Sequence, residues 1–262
     1  MDRVADVGVI GGSGLYSLLD PATVRSIEVR TPYGDPSSPI TVATVAGVRV
    51  AFLARHGLGH ELPPHAVPYR ANAWALREVG VRRILAPCAV GSLLASVGPG
   101  SLVVPDQLVD WTRGRTQTFH DTFGEHPVHA EFADPYCEQG RRASLEATRS
   151  EGWEAVDGGT MVVVEGPRFS TRAESLFFSA QGWLLVNMTG HPEGVLAREL
   201  GICYSALALV TDLDAGLKVG DGVSVTEVLA EFARNTDRLR RVLLDAVTRL
   251  PTDPCTTCPP LR

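Results

Sequence analysis

The apolar positions of this chain fall in short runs. The most informative run is residues 206–210, Ala-Leu-Ala-Leu-Val, which leads through Thr211 into Asp212, Leu213 and Asp214. It has no polar alternation, the pattern of a strand buried on both faces of an α/β sheet. Residues 7–10 form a second such run and lead into Gly11, Gly12, Ser13 and Gly14. Strands are also expected at 41–45 and 48–53, joined at Gly47, and at 83–86, 101–104, 160–164 and 184–186. Helical spacing covers 69–79, 135–150, 171–181, 192–200 and 223–250. Pro68 and Pro192 stand where helices start, Gly80 and Gly201 follow their ends, and Thr171 with Glu174 has capping-box spacing. Residues 112–134 carry no periodic pattern, and a loop of that length usually has a function. Strands and helices interleave, so the class is α/β. One domain over residues 1–251 is the simplest organisation.

Composition narrows the function. The chain has 262 residues, a net charge of −6 and 44% hydrophobic residues. That is ample for a large core, and no basic track suggests nucleic acid. Acidic residues before the first apolar run speak against a secretory leader, and no apolar run approaches the ~20 residues of a membrane span. The five cysteines, Cys88, Cys137, Cys203, Cys255 and Cys258, are odd in number and scattered, as in a reduced cytoplasmic protein. The Cys255/Cys258 pair offers only two ligands, so no metal site is expected and residues 252–262 read as a disordered tail.

Several residue groups have the chemistry of an anion site. Gly11 to Gly14 would form a nest of backbone N–H groups with a Ser13 hydroxyl. Arg55 offers a fork of donors and His56 another. Thr189 follows a further strand. Each has a plainer reading: tight turn packing, a surface Arg, a loop residue. Phe169, just past a strand end, could stack on a flat base or simply pack its loop. Glu165 and Glu193 could pair with Arg168 or a backbone nest, or bind ribose hydroxyls. Asp212 and Asp214 could cap the next segment. Alternatively, burial would raise their pKa and make them proton donors.

Together these segments resemble the trimeric purine nucleoside phosphorylase and methylthioadenosine phosphorylase family, closest to the methylthioadenosine branch. The matching stretches include IGGSGLY (10–16), RTPYGDPS (30–37), AVGSL (89–93), PDQLVD (105–110), GTMVVVEGPRFSTRAES (159–175) and TDLDAG (211–216). The resemblance implies a mixed, twisted, partly barrel-like central sheet flanked by helices. It implies phosphate contacts from Ser13, Arg55, His56, Cys88, Ala89 (through its N–H) and Thr189. Met188 would lie against the ribose, Phe169 on the purine, and Thr211, Asp212 and Asp214 at the purine edge. The 5′-pocket would draw on Val225, Val228 and Leu229. His129 would reach a neighbouring subunit's site in a homotrimer. Cys88 stands where the family often has Thr, and Pro68 where Asn is usual.

The implied reaction is phosphorolysis of an N-glycosidic bond, with Asp212 and Asp214 as catalytic residues and inorganic phosphate as co-substrate. No metal or organic cofactor is implied. An ionised carboxylate only accepts hydrogen bonds, which suits a 6-amino purine. The expected substrate is 5′-methylthioadenosine, giving adenine and 5-methylthioribose 1-phosphate. A 5′-halo-5′-deoxyadenosine phosphorylase and a broader purine nucleoside phosphorylase remain alternatives.

Overall fold

A computed structural model describes all residues except 1–3, 13–14, 16–17, 20–22, 125, 216–221, 254, 256–257 and 259–262. Ser13 therefore lies outside the described residues. In chain order the elements are β1 (Val7–Gly11), β2 (Arg25–Ile27), β3 (Ile40–Val45), β4 (Val48–Ala54), α1 (Tyr69–Glu78), β5 (Arg83–Ser92), β6 (Leu102–Val104) and β7 (Gln107–Trp111). Then follow α2 (Glu138–Ser150), β8 (Val156–Asp157), β9 (Thr160–Val164), α3 (Arg172–Ala180), β10 (Leu185–Asn187), α4 (Gly190–Glu199), β11 (Cys203–Leu213) and α5 (Val225–Arg249).

The sheet is mixed and forks at β5. Its main path runs β2-β3-β4-β1-β5-β10-β9-β7, while β11 also pairs with β5 and carries β6 and β8 beyond it. Strands β4, β1, β5 and β11 are mutually parallel, so their carboxyl ends face one way. β10 enters β5 antiparallel, with Leu185 opposite Ser92 and Val186 opposite Gly91. Its end at Asn187 therefore arrives beside the last residues of β5, where the Asn187 side chain reaches Ala89 O. The β3–β4 hairpin turns at Ala46 and Gly47, both at positive φ (47° and 86°), as a two-residue turn demands.

Strand β11 is the centre of the core. Its residues from Cys203 to Val210 are all buried. Leu207 and Leu209 face a cluster with Ala143 and Ala147 of α2 and Leu239, Val242 and Leu243 of α5. Ala206, Ala208 and Val210 face the opposite cluster, with Leu76 of α1 and Ala197 of α4. Helices on both faces explain the missing alternation, because neither side of the strand meets water. Strand β5 runs six residues further than the periodicity suggests, through Pro87 to Ser92. The strand lies between β1 and β11, yet its β1 pairing ends at Leu85, so the missing Pro87 N–H breaks no ladder on that side. β2, β7 and β8 have no clear signal in the sequence. Among the described residues, 112–134 form no regular element, as expected.

Candidate active site

One cavity lies where these strand ends converge. Gly12, Arg55, His56, Cys88, Ala89 and Thr189 line it. Phe169, Thr211, Asp212 and Asp214 line it too, with Met188, Val228 and Leu229. Two expected residues are not part of its lining. Val225 is 58% exposed at the start of α5. His129 is exposed, its ring 5.6 Å from that of Phe123.

Arg55 follows β4 and is fully buried. Its Nε and Nη2 donate to both carboxylate oxygens of Glu193 at 2.8 and 2.9 Å. Nη2 also donates to Ile10 O (3.0 Å) and Nη1 to Pro87 O (3.1 Å). Four of its five N–H groups are thus used internally, which leaves one on Nη1. A Cβ on Gly12 would sit 3.4 Å from that Nη1, so glycine keeps the approach open. Burial opposes the charge, but Glu193 outweighs it and the guanidinium pKa is raised. Sequence reasoning left Glu193 as a possible partner of Arg168 or of ribose. Its partners are Arg55 and the Tyr204 hydroxyl (2.8 Å), while Arg168 pairs with Glu174.

His56 Nδ1 lies 2.8 Å from Leu62 O, a carbonyl that can only accept. Burial, with the Arg55 charge, lowers the His56 pKa to about 4. At neutral pH the ring is therefore uncharged with its proton on Nδ1, and Nε2 presents a lone pair. His56 enters the site as an acceptor, whereas sequence reasoning took it for a donor. Burial pushes the Cys88 thiol up to about 12, against the pull of Arg55, so it stays protonated.

Asn187 organises Thr189, a role the sequence reading missed. Its Oδ1 accepts from the backbone N–H of Thr189 (2.8 Å) and Gly190 (2.7 Å), and its Nδ2 donates to Ala89 O (3.2 Å). An Asn two residues before Thr at a strand end is an Asx-turn signal, so a local clue existed. Arg115, from the long irregular segment, fixes the neighbouring backbone. Its side chain is 3% exposed and donates to Met188 O (2.9 Å), His191 O (2.6 Å) and Glu165 O (2.6 Å). Met188 in turn packs on Gly166, where an added Cβ would stand 2.6 Å from the Met188 sulfur.

The two aspartates depend on a bulge. β11 pairs with β5 residue for residue to Val210, then skips Thr211 so that Asp212 lies opposite Gly91. Such a bulge re-aims the side chains that follow it. Gly91 gives them room: a Cβ there would be 2.9 Å from Asp212 Oδ1 and 3.3 Å from Asp214 Cβ. Burial raises the Asp212 pKa to about 6, opposed by the Thr211 hydroxyl at 2.9 Å and assisted by the charges of Asp214 and Glu227. Burial raises Asp214 as well, opposed by the Ser175 hydroxyl first. Asp214 Oδ2 is buried without a hydrogen-bond partner among the described residues, and both aspartates line the cavity. The cap reading is not needed to explain these carboxylates. Phe169 is half-buried in the cavity lining, its loop tied down by the Arg168–Glu174 pair and the Thr171/Glu174 capping box.

The cavity thus brings together a buried cation with one open donor, an acid near pKa 6 and an aromatic ring. Fold and site define an enzyme of the phosphorylase superfamily, and the chain belongs to that family, whose model matches residues 6–248. It is 60% identical to a purine nucleoside phosphorylase of Streptomyces coelicolor, over 97% of this chain and 92% of that one. It is 58% identical to the S-methyl-5′-thioadenosine phosphorylase of Mycolicibacterium smegmatis, over 96% and 94%. A solved methylthioadenosine phosphorylase from an Antarctic soil metagenomic library superposes with a TM-score of 0.88 at 39% identity, covering 99% of this chain and 93% of that one. The adenine complex of the Schistosoma mansoni methylthioadenosine phosphorylase gives 0.86 at 38% identity, over 93% and 91%.

Proposed function

We infer that the chain cleaves 5′-methylthioadenosine with inorganic phosphate, releasing adenine and 5-methylthioribose 1-phosphate. The observation that carries this reading is the Asp212/Asp214 pair. One carboxyl has its pKa raised to about 6. The other has an oxygen, Oδ2, with no partner among the described residues.

A phosphate oxygen forms the bond to C1′ as the C1′–N9 bond breaks, and the electron pair leaves with the purine. Asp212 gives its proton to N7 of that purine. A positioned acid of this kind contributes about 10²–10⁴ in rate. Asp214 Oδ2 accepts from the 6-amino group. A 6-oxo group there would set acceptor against acceptor, at a cost of roughly 1–3 kcal/mol. At the other end, Nη1 of Arg55 donates to phosphate, and neutral His56 accepts the P–O–H of hydrogenphosphate through Nε2. Thr189, Ala89 N–H and the Gly12 turn complete the cradle, with Ser13 as a further donor. Phe169 stacks on the purine and Met188 supports the ribose.

The 5′-end faces Val228 and Leu229, which suits an apolar methylthio group. Leu229 is 49% and Val225 58% exposed in the single chain. A neighbouring subunit in a homotrimer would cover this mouth and bring its His129. Five thiols suit a reducing compartment such as the cytoplasm. No helix among the described residues is long and apolar enough to cross a membrane.

The test is turnover of methylthioadenosine, adenosine, 5′-halo-5′-deoxyadenosine and inosine, with and without phosphate. Methylthioadenosine is expected to be cleaved fastest, and only with phosphate. Inosine cleaved as fast would overturn the 6-amino assignment, and cleavage in water alone would overturn phosphorolysis. Sedimentation of the intact protein reads the oligomer.

A further inference from the structure

The cysteines outside the active site gather in one place. Cys137 caps the start of α2, Cys203 opens β11, and Cys255 and Cys258 follow α5. Their four sulfur atoms all lie within 4.8 Å of one another. Read along the chain, the Cys255/Cys258 pair has no partners nearby, and the fold supplies two. We propose that Cys137, Cys203, Cys255 and Cys258 form a tetrathiolate site for a single zinc ion, which ties the C-terminal segment to the body of the protein.

Distances carry the first argument. Zn–S bonds of about 2.3 Å in a tetrahedron put the sulfurs about 3.8 Å apart. Cys137 Sγ and Cys255 Sγ are 3.8 Å apart. Disulfides would instead draw sulfurs together in pairs at about 2.05 Å. The sulfurs are also shielded, since Cys137, Cys203 and Cys258 are 1%, 6% and 6% exposed.

Charge carries the second argument. Four thiolates around a divalent ion leave a net charge of −2, which needs cationic neighbours in a buried setting. Two are present. Arg83 Nη1 lies 3.9 Å from Cys203 Sγ, and Arg198 Nη2 lies 3.8 Å from Cys258 Sγ. Both guanidiniums are held in place by carbonyls, Arg83 by Asp253 O (2.6 Å) and Arg198 by Asp134 O (2.7 Å). Cys137 also sits at the start of a helix, where the backbone favours a thiolate. Neutral thiols alone would not call for two buried guanidiniums.

The ligand set is all sulfur, which selects soft, tetrahedral ions and excludes magnesium or calcium. With four protein ligands the site has no open coordination position, so its role is structural. It lies at the opposite end of β11 from Asp212, about 30 Å along the strand at ~3.3 Å per residue. Catalysis should therefore be insensitive to it at temperatures where the protein is folded.

The experiment uses the full chain, purified under reducing conditions, loaded with zinc and then desalted. Elemental analysis should find one zinc per chain, and cobalt substitution should give a thiolate-to-cobalt charge-transfer band. The double variant C255S/C258S, which leaves the core elements intact, should lose both signals and melt at a lower temperature, yet keep the parent kcat/KM for phosphorolysis. C137S should also fail to retain zinc. Absence of retained zinc with all thiols reduced would overturn the proposal, as would zinc unaffected by either variant. Cysteines found as two disulfides that exclude metal even after reductant treatment would overturn it as well.

Discussion

Arg55 and Glu193 stand 138 residues apart in sequence and meet in a buried, two-pronged ion pair with contacts of 2.8 and 2.9 Å. The pair joins the end of β4 to the start of α4 and aims the remaining Arg55 donor into the cavity. Removing one member of a buried pair strands the other charge, which costs about 3–5 kcal/mol. Glu193→Ala is expected to lose stability on that scale in chemical denaturation and to raise the KM for phosphate. Arg55→Lys should lose phosphate affinity too, because an ammonium cannot reproduce the fork. A Glu193→Ala protein with parent stability and parent phosphate KM would show that the pair is not needed.

Asp212 sets a pH dependence whose sign follows from its raised pKa. The group holds a proton up to about pH 6 in the folded chain, above its ordinary 3.8. Its acid form, and with it kcat/KM, declines as pH rises through about 6. Its proton-linked contribution to stability is present below 3.8 and is lost over the same rise. Thr211→Val removes the hydroxyl that donates to Asp212 Oδ2 and favours the carboxylate. The alkaline limb should move to higher pH in Thr211→Val, and to lower pH in Glu227→Gln, which removes a charge that raises Asp212. Unmoved pH profiles in both variants would argue against Asp212 as the titrating acid.

Asp212→Asn tests the acid directly. Loss of the proton donor should lower kcat for methylthioadenosine by about 10²–10⁴. In Asp214→Asn the amide can donate as well as accept at the 6-position, so that variant should shift toward 6-oxopurine nucleosides. Relative rates on methylthioadenosine and inosine read this shift.

Gly91 is expected to be intolerant of any side chain. A methyl group would stand 2.9 Å from Asp212 Oδ1 and displace the carboxylate. Misplacement of a catalytic group by about 1 Å can cost about 10²-fold. Gly91→Ala should lose kcat on that scale while phosphate KM changes little, since Arg55 and Thr189 are untouched.

Much of this was legible in the chain. The uninterrupted apolar run before Asp212 was enough to expect a doubly buried strand ending in carboxylates, because burial on both faces leaves no reason for polar alternation. The spacing of Thr171 and Glu174 marked a helix start that closes both arms of its capping box, since capping is a local interaction within one turn. Motifs such as EGPRFSTRAES carried the family resemblance. What the sequence could not reveal are the meetings between distant segments. Glu193 reads locally as any first-turn carboxylate, and only the packing of α4 against the end of β4 makes it the partner of Arg55. The His56 acceptor role depends on the carbonyl of Leu62, six residues on along a loop with no periodicity. The bulge at Thr211 is written in backbone pairing with β5, not in residue type. Cys255 and Cys258 read as an isolated pair in a tail, because Cys137 and Cys203 arrive beside them from two separate elements. Local patterns determined the elements and their chemistry. The tertiary structure decided which charges neutralise one another, because that requires low-dielectric contact between residues far apart in the chain.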